Sequence, residues 1–354
     1  MSYVKFYSNA SFTLGTYENT KIWDGTASNA MEYSTDGSTW STWTGTSVIS
    51  AAATNGVYSL YLRGNGNTKV SNLTYGGWQN NFIFTGTQSI DSEGNIESLL
   101  DYQTVDNGQH PTMADFAFTS LFYNQTLLRT PPNLLSRTLT DRCYYSMFKD
   151  CTSLIISPEL PALSLTYGCY TRMFEGCTAL TSTSILPATT LATNCYNSMF
   201  YGCSSLTIPP ELPATTLAAR CYYSMFYNSG IKLSTTQHDD YILAYRIPTE
   251  GTGSTGTVGE YLNYMFYGSG VDTPVVNTTY YIQDTQYKSN QIELGLIAQA
   301  IRDKAEISSS LTFPEDYITE INNIVVDIDN TYLISQAIPS DALGSDGDIC
   351  IVYN

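Results

Sequence analysis

The sequence predicts a mainly β chain with short helices, in three parts. A β-sandwich occupies residues 1–80, a solenoid of 26-residue repeats with its lead-in occupies 81–280, and a small α+β segment occupies 281–354. Three observations carry this prediction. A hexamer recurs at a fixed step of 26 residues through the middle of the chain. Apolar–polar alternation broken by Gly- and Asn-rich turns fills the first 80 residues. Helical periodicity appears at 291–306.

In the amino-terminal part, Val4 and Phe6, then Phe12 and Leu14, alternate with polar residues as half-buried strands do. Met31 to Trp40 reads as a hairpin turning at Asp36-Gly37. Val57 to Leu62 reads as a further strand, stopped by Gly64-Asn65-Gly66-Asn67. Short strands with frequent turn signals suggest a small sandwich. Asn81 to Leu100 leads into the repeats.

The repeat is explicit. Cys143-Tyr144-Tyr145-Ser146-Met147-Phe148 recurs as Cys169-Tyr170-Thr171-Arg172-Met173-Phe174, as Cys195-Tyr196-Asn197-Ser198-Met199-Phe200 and as Cys221-Tyr222-Tyr223-Ser224-Met225-Phe226. A weaker copy ends at Leu121-Phe122, and Met265-Phe266 follows after one repeat plus 14 residues. Units therefore begin near 117, 143, 169, 195, 221 and 261. After each hexamer come a turn (Glu175-Gly176-Cys177), a short apolar piece (Ser205-Leu206-Thr207-Ile208) and a proline step (Pro210-Glu211-Leu212-Pro213). We read the hexamer as about one helical turn with Met and Phe inward, and the apolar and Thr-Thr-Leu pieces as very short strands pairing between units. One unit cannot bury its own Met, Phe and Leu, so stability requires stacking. At strand spacing the stack would run roughly 25 to 30 Å.

The pattern Cys-Tyr-x-x-Met-Phe-x-Gly-Cys-x-x-Leu followed by Pro-x-Leu-Pro-Ala resembles the BspA-type surface-antigen leucine-rich repeats found in gut bacteria and their phages. Tyr33-Ser34-Thr35-Asp36-Gly37-Ser38-Thr39-Trp40 resembles the β domain that often precedes such repeats. Degraded end units, with Ala117 for the first Cys and Ser229 for the second, are what caps should look like. The resemblance implies a binding surface rather than chemistry.

In the last part, Gln291 to Glu306 carries Ile292, Leu296, Ala300 and Ile301 on one stripe, and Pro314 opens a second helix through Ile324. Leu296 to Lys304, then Leu311-Thr312-Phe313-Pro314, is similar to a segment recurrent in phage tail proteins, and Gly344 to Tyr353 to strand endings in the same class. The amino terminus, Met1-Ser2-Tyr3-Val4-Lys5, does not read as a secretory signal, and no stretch reaches 18 apolar residues. Together these resemblances imply a virion protein of a tailed phage: a head or tail fibre, spike or decoration subunit, made in the host cytoplasm and exposed on the particle. Its expected partners are other virion proteins, a host surface glycan or protein, and further copies of itself, trimers being the habit of such fibres. The alternatives are a bacterial cell-surface adhesin with the same repeats and a purely architectural capsid or tail component.

Composition narrows the chemistry. Lys and Arg total 15 against 32 Asp and Glu, a net charge of -17, which argues against nucleic acid and anionic membranes. Charged residues are 13% of the chain, about half the usual share, while Tyr occurs 29 times. Two histidines, His110 and His238, leave little room for triads or zinc sites. A glycosidase needs a carboxylate pair, and the Glu row 159, 175, 211 offers no obvious cleft. We expect no enzyme activity, no cofactor and no metal.

Seven of eight cysteines fall on two repeat columns, 143, 169, 195, 221 and 151, 177, 203. Their spacing is not that of a metal site; buried filler on a stacked ladder is the reading we prefer to a disulfide framework. The position after each inward Met-Phe pair (Tyr123, Lys149, Glu175, Tyr201, Tyr227, Tyr267) is the candidate binding ladder: exposed, stacked from unit to unit, and rich in an amphipathic residue that loses little entropy on contact. The plainer alternative is that these tyrosines only cover neighbouring backbone. Trp23, Trp40, Trp43 and Trp78 are read as core or edge cover before sugar platforms, His238-Asp239-Asp240 as a solvated loop, and Asp346-Gly347-Asp348 as lacking a calcium loop's length.

Overall fold

The computed structural model describes residues 2–71, 81–238, 241–246, 250–251, 262–272, 274 and 278–283. These belong to one compact unit, Met1–Asp284; the expected helices at 291–306 and 314–324, Trp78, Asp239, Asp240, Asp346, Asp348 and Cys350 lie outside the described residues. The chain is mainly β with few helices. Its strands are β1 (Val4–Ser8), β2 (Phe12–Thr16), β3 (Met31–Ser34), β4 (Ser41–Thr42), β5 (Ile49–Ser50), β6 (Ala52–Thr54), β7 (Val57–Gly64), β8 (Phe82–Gly86) and β9 (Asp91–Gly94). Helix α1 (Tyr102–Asp106) follows, then β10 (Thr216–Leu217), β11 (Leu233–Ser234), β12 (Tyr241–Arg246), β13 (Glu250–Gly251) and β14 (Thr279–Gln283).

The first nine strands make two antiparallel sheets. One runs β4-β3-β7-β1-β9 with β6 beside β7; the other runs β5-β2-β8. The Asp36 hairpin forms, with Glu32 opposite Thr42, but its loop is longer than an Asp-Gly pair. Asp36 closes it by accepting from the N–H groups of Thr39 and Ser38, each 2.7 Å, and from Ser34 Oγ at 2.8 Å. Those bonds, the backbone ones foremost, hold its carboxyl well below the usual range. The two-residue hairpin is instead Asn55-Gly56 between β6 and β7, with φ of 52° and 80°. Residues 82–94, which the sequence assigned to the lead-in, supply strands to both sheets: β8 pairs with β2 and β9 with β1.

Beyond Leu100 the chain becomes a stack. The hexamer is not a helical turn. Every fourth residue has positive φ: Arg142 (55°), Ser146 (52°) and Asp150 (61°), then Gly168 (61°), Arg172 (56°) and Gly176 (76°) one repeat later. Between them the backbone bonds alternate. The N–H groups of Tyr145, Met147, Lys149 and Cys151 donate to the carbonyl three residues back. Those of Arg142, Tyr144, Ser146, Phe148 and Asp150 donate into the next repeat, to Tyr167, Cys169, Thr171, Met173 and Glu175. A helix would spend these donors within itself; here half of them join neighbouring units, and few buried polar groups are left unpaired. The left-handed residue after the ladder position is Asn124, Asp150, Gly176, Gly202, Asn228 or Gly268, the residue types that tolerate that conformation. Pairing through the proline side is thinner than expected: single bridges join Ile156 to Ser182 and Ser164 to Thr190, and only the Thr-Thr-Leu piece at β10 forms a strand among the described residues, parallel to β13.

Stacking fixes the core. Phe122, Phe148, Phe174, Phe200 and Phe226 form one column with centroids 5.3 to 5.6 Å apart and planes within 6°. Phe118, Tyr144, Tyr170, Tyr196 and Tyr222 form a second at 5.7 to 5.9 Å. Cys151, Cys177 and Cys203 donate their Sγ hydrogens to the carbonyls of Phe122, Phe148 and Phe174 at 3.0 to 3.1 Å. All seven repeat cysteines are buried free thiols.

Both ends are closed. At the first, Phe82 and Ile90 donate their N–H groups to Leu121 and Leu127, and Gln125, where later units have Cys, accepts from the Phe84 N–H at 2.8 Å. At the other, β11 and β12, from the stretch between the last two units, pair with β14, which follows the last unit, in an antiparallel sheet β11-β14-β12. Tyr245 from that sheet stands edge-on to Phe266 at 6.1 Å and donates to the Pro210 carbonyl at 3.0 Å.

Candidate functional site

The ladder position divides into a charged half and an aromatic half. Lys149 and Glu175 pair across one repeat step, with Arg172 Nε 3.4 Å from Glu175 and Lys149 3.8 Å from Asp150. These charges satisfy one another, and Lys149 and Glu175 are mostly covered, so this half offers little to a partner. Tyr201, Tyr227 and Tyr267 stack face to face, at 4.5 Å and 5° for the first step and 4.4 Å and 11° for the second. Their separation is closer than in the buried columns because no inward packing holds these rings apart. Burial against its neighbours pushes the Tyr227 hydroxyl pKa up, with Tyr267 and Tyr201 adding to it.

The expectation that the whole row is solvent-exposed is corrected. Tyr123, Lys149, Glu175, Tyr201 and Tyr227 are half-buried, and only Tyr267 is exposed, at 39%. The reason is the stack itself: each ring covers a face of the next. Tyr123 stands apart from the aromatic half, three repeats from Tyr201 with the two units of the charged pair between them. Two further rings that the sequence did not single out flank the aromatic half. Tyr264 lies edge-on to Tyr267 and to Tyr223, each at 6.1 Å, and is 47% exposed. Tyr223 repeats the Tyr145 position, which was the available signal; Tyr264 has none in the 26-residue pattern.

The tryptophans divide in the same way. Trp23 and Trp43 are core, 5.5 Å apart, and Trp43 meets Phe82 at 5.9 Å. Trp40 is half-buried with the Arg63 guanidinium 4.0 Å from its ring; the same guanidinium lies 4.0 Å from the Tyr102 ring. Arg63 Nε also donates to Glu32 at 2.8 Å.

Two polar side-chain pairs escaped the sequence reading because their members lie apart in the chain. Glu97, fully buried, accepts from His110 Nδ1 at 2.8 Å and from Asn95 Nδ2 at 3.3 Å. Among the described residues no nucleophile adjoins this pair in the hydrogen-bond network, and it ties residue 110 to the turn at 97. Asp91 and Arg129 form a two-pronged pair joining β9 to the first repeat. Among the described residues no group of three or more His, Cys, Asp or Glu is placed to hold a metal. None of their helices is long and apolar enough to cross a membrane.

Comparison with protein-family models, with curated proteins and with solved structures finds no match to this chain.

Proposed function

We propose that the chain is a non-catalytic structural protein of a tailed-phage virion, a head or tail fibre, spike or decoration subunit. In this reading the stacked units form a leucine-rich-repeat solenoid, preceded by a β-sandwich and followed by an α+β segment for attachment or oligomerisation. The observation that carries the reading is the outward stack Tyr201–Tyr227–Tyr267 on a frame whose inward residues repeat unit by unit. A rigid row of half-open aromatic rings presents amphipathic contact area with little left to order on binding. Each contact would be weak, and many copies on one particle would make the sum strong. The partners in this reading are other virion proteins, a host glycan or surface protein, and further copies of the chain. The low charge and net -17 support contact through rings and hydroxyls rather than ion pairs.

The test is a cryo-EM map of the particle that contains the chain. The expected result is a repeat stack projecting from head or tail with Tyr201, Tyr227 and Tyr267 bare. Those rings sealed against another virion protein would make the repeats architectural. Recovery of the chain with bacterial envelopes and not with particles would overturn the virion reading in favour of an adhesin.

A further inference from the structure

A cleft of about 700 Å³ opens where the end of β1, the turn between β8 and β9, and the first repeat meet. That size lies inside the range of roughly 300 to 1,000 Å³ common for small-molecule sites. Tyr7 and Leu127 supply its apolar surface, Asn9, Thr87 and Gln88 its exposed rim, and the Asp91–Arg129 pair its ionic wall.

We infer that this cleft binds a neutral saccharide. The ionic wall decides the ligand class. Asp91 Oδ1 accepts from Arg129 Nε at 2.8 Å and from Thr130 Oγ1 at 3.2 Å, and Oδ2 accepts from Arg129 Nη2. A carboxylate has about four acceptor positions and a guanidinium five donors, so one acceptor and three donors remain. The Asp91 side chain is 13% exposed and that of Arg129 is 50% exposed, so the carboxylate is held in place while the guanidinium faces the opening. A fixed acceptor beside a fixed fork of donors matches neighbouring hydroxyls on a pyranose, each of which both donates and accepts. Asn9 and Gln88 add amides with the same dual capacity. Tyr7 and Leu127 suit the C–H face of the ring; burial, then the nearby Asp91 and Glu93 carboxylates, raise the Tyr7 hydroxyl pKa and keep it a donor.

Other ligands fit worse. An anion would meet an Arg129 already neutralised by Asp91, in a chain of net charge -17. A divalent cation would find in the lining one carboxylate, occupied by a guanidinium. The cleft lies on β1, the β8–β9 turn and the first unit, whereas the tyrosine stack lies on the last three units, so the two surfaces can be tested separately.

The experiment is saturation-transfer NMR on the full chain with methyl glycosides of glucose, galactose, mannose and N-acetylglucosamine, and with sialic acid as an anionic control. At least one neutral glycoside should receive saturation. Asn9→Ala with Gln88→Ala, both on the exposed rim, should weaken that binding about tenfold with the melting temperature unchanged, as expected for lost hydrogen bonds at one site. Arg129→Lys, which keeps the charge and removes the fork, should weaken binding to a similar extent. Tyr201→Ala with Tyr227→Ala should leave it intact, whatever becomes of the virion reading. Silence from every neutral glycoside, a preference for sialic acid, or binding that survives the rim variant but not the tyrosine variant would each overturn the assignment.

Discussion

The amino-terminal sheets and the repeat stack solve the same packing problem in opposite ways. In the sheets the core follows no repeating pattern, and the aromatic rings meet at varied angles: Phe6 and Phe84 at 61°, Phe12 and Phe84 at 63°, Trp43 and Phe82 at 36°. In the stack the same residue returns every 26 positions, and the rings lie within a few degrees of parallel. Edge-to-face contact is available only when two rings sit in unlike environments. Translation from unit to unit forbids it, and the parallel, separated arrangement is what remains. Repetition thus fixes geometry that an irregular core chooses site by site. It also concentrates chemical sensitivity, because the units beginning at 143, 169 and 195 each bury two thiols at the same positions.

The largest effect that should break this symmetry is alkaline pH. Burial pushes the Cys169 and Cys221 thiols up to about 12 from an ordinary 9.0, and raises the other five in the same direction. The unfolded chain loses these protons near pH 9 while the folded chain keeps them, so stability is fully present below pH 9 and falls as pH rises toward 12. Each thiol contributes about 1.4 kcal/mol per pH unit in that window. Chemical denaturation at pH 8, 9.5 and 10.5 should show a steep loss that shrinks by about one thiol's share in Cys177→Ala. A flat profile would mean that the thiols are open to solvent.

Next comes the ring column. Phe174→Ala should cost about 3 to 5 kcal/mol, because the gap between Phe148 and Phe200 cannot close while both are held by inter-unit backbone bonds. Urea unfolding measures it; a loss below about 1 kcal/mol would show that the stack collapses locally like an ordinary core.

Two glycines sharpen the comparison. Gly176 has φ +76° and a Cβ there would meet Asp150 Oδ1 at 2.2 Å, while Gly56 has φ +80° and open space around it. Gly56→Ala should cost about 1 kcal/mol, the conformational strain alone, and Gly176→Ala about 2 kcal/mol or more. Equal melting temperatures for the two variants would remove the inter-unit crowding from the account.

The smallest effect has the opposite sign. Ser146 has φ 52°, and its buried hydroxyl finds no hydrogen-bond partner among the described residues. Ser146→Gly should stabilise by about 1 kcal/mol, relieving both costs. Destabilisation would show that the hydroxyl fills space the unit needs.

The period of 26, the inward Met-Phe pairs, the buried cysteines and several of the amino-terminal strands were legible in the sequence, because burial leaves its mark wherever a pattern repeats or alternates. The backbone of the hexamer was not. Cys-Tyr-x-x-Met-Phe has the spacing of a helical turn, and only the competing bonds of the next unit, beginning with Tyr144 to Cys169, turn it into a ladder. The ladder residues were found by position, but their division into a self-satisfied ion cluster and a stacked aromatic row depends on who stands 26 residues away in space. Asp91 with Arg129 and Glu97 with His110 were invisible, since nothing local in a chain tells a carboxylate which donor the fold will bring to it. The sequence by itself determined what is buried and at what interval, because hydrophobic burial is a property of each residue summed along the chain. The tertiary structure alone decided which polar groups meet, because a hydrogen bond or ion pair exists only at a distance that folding sets.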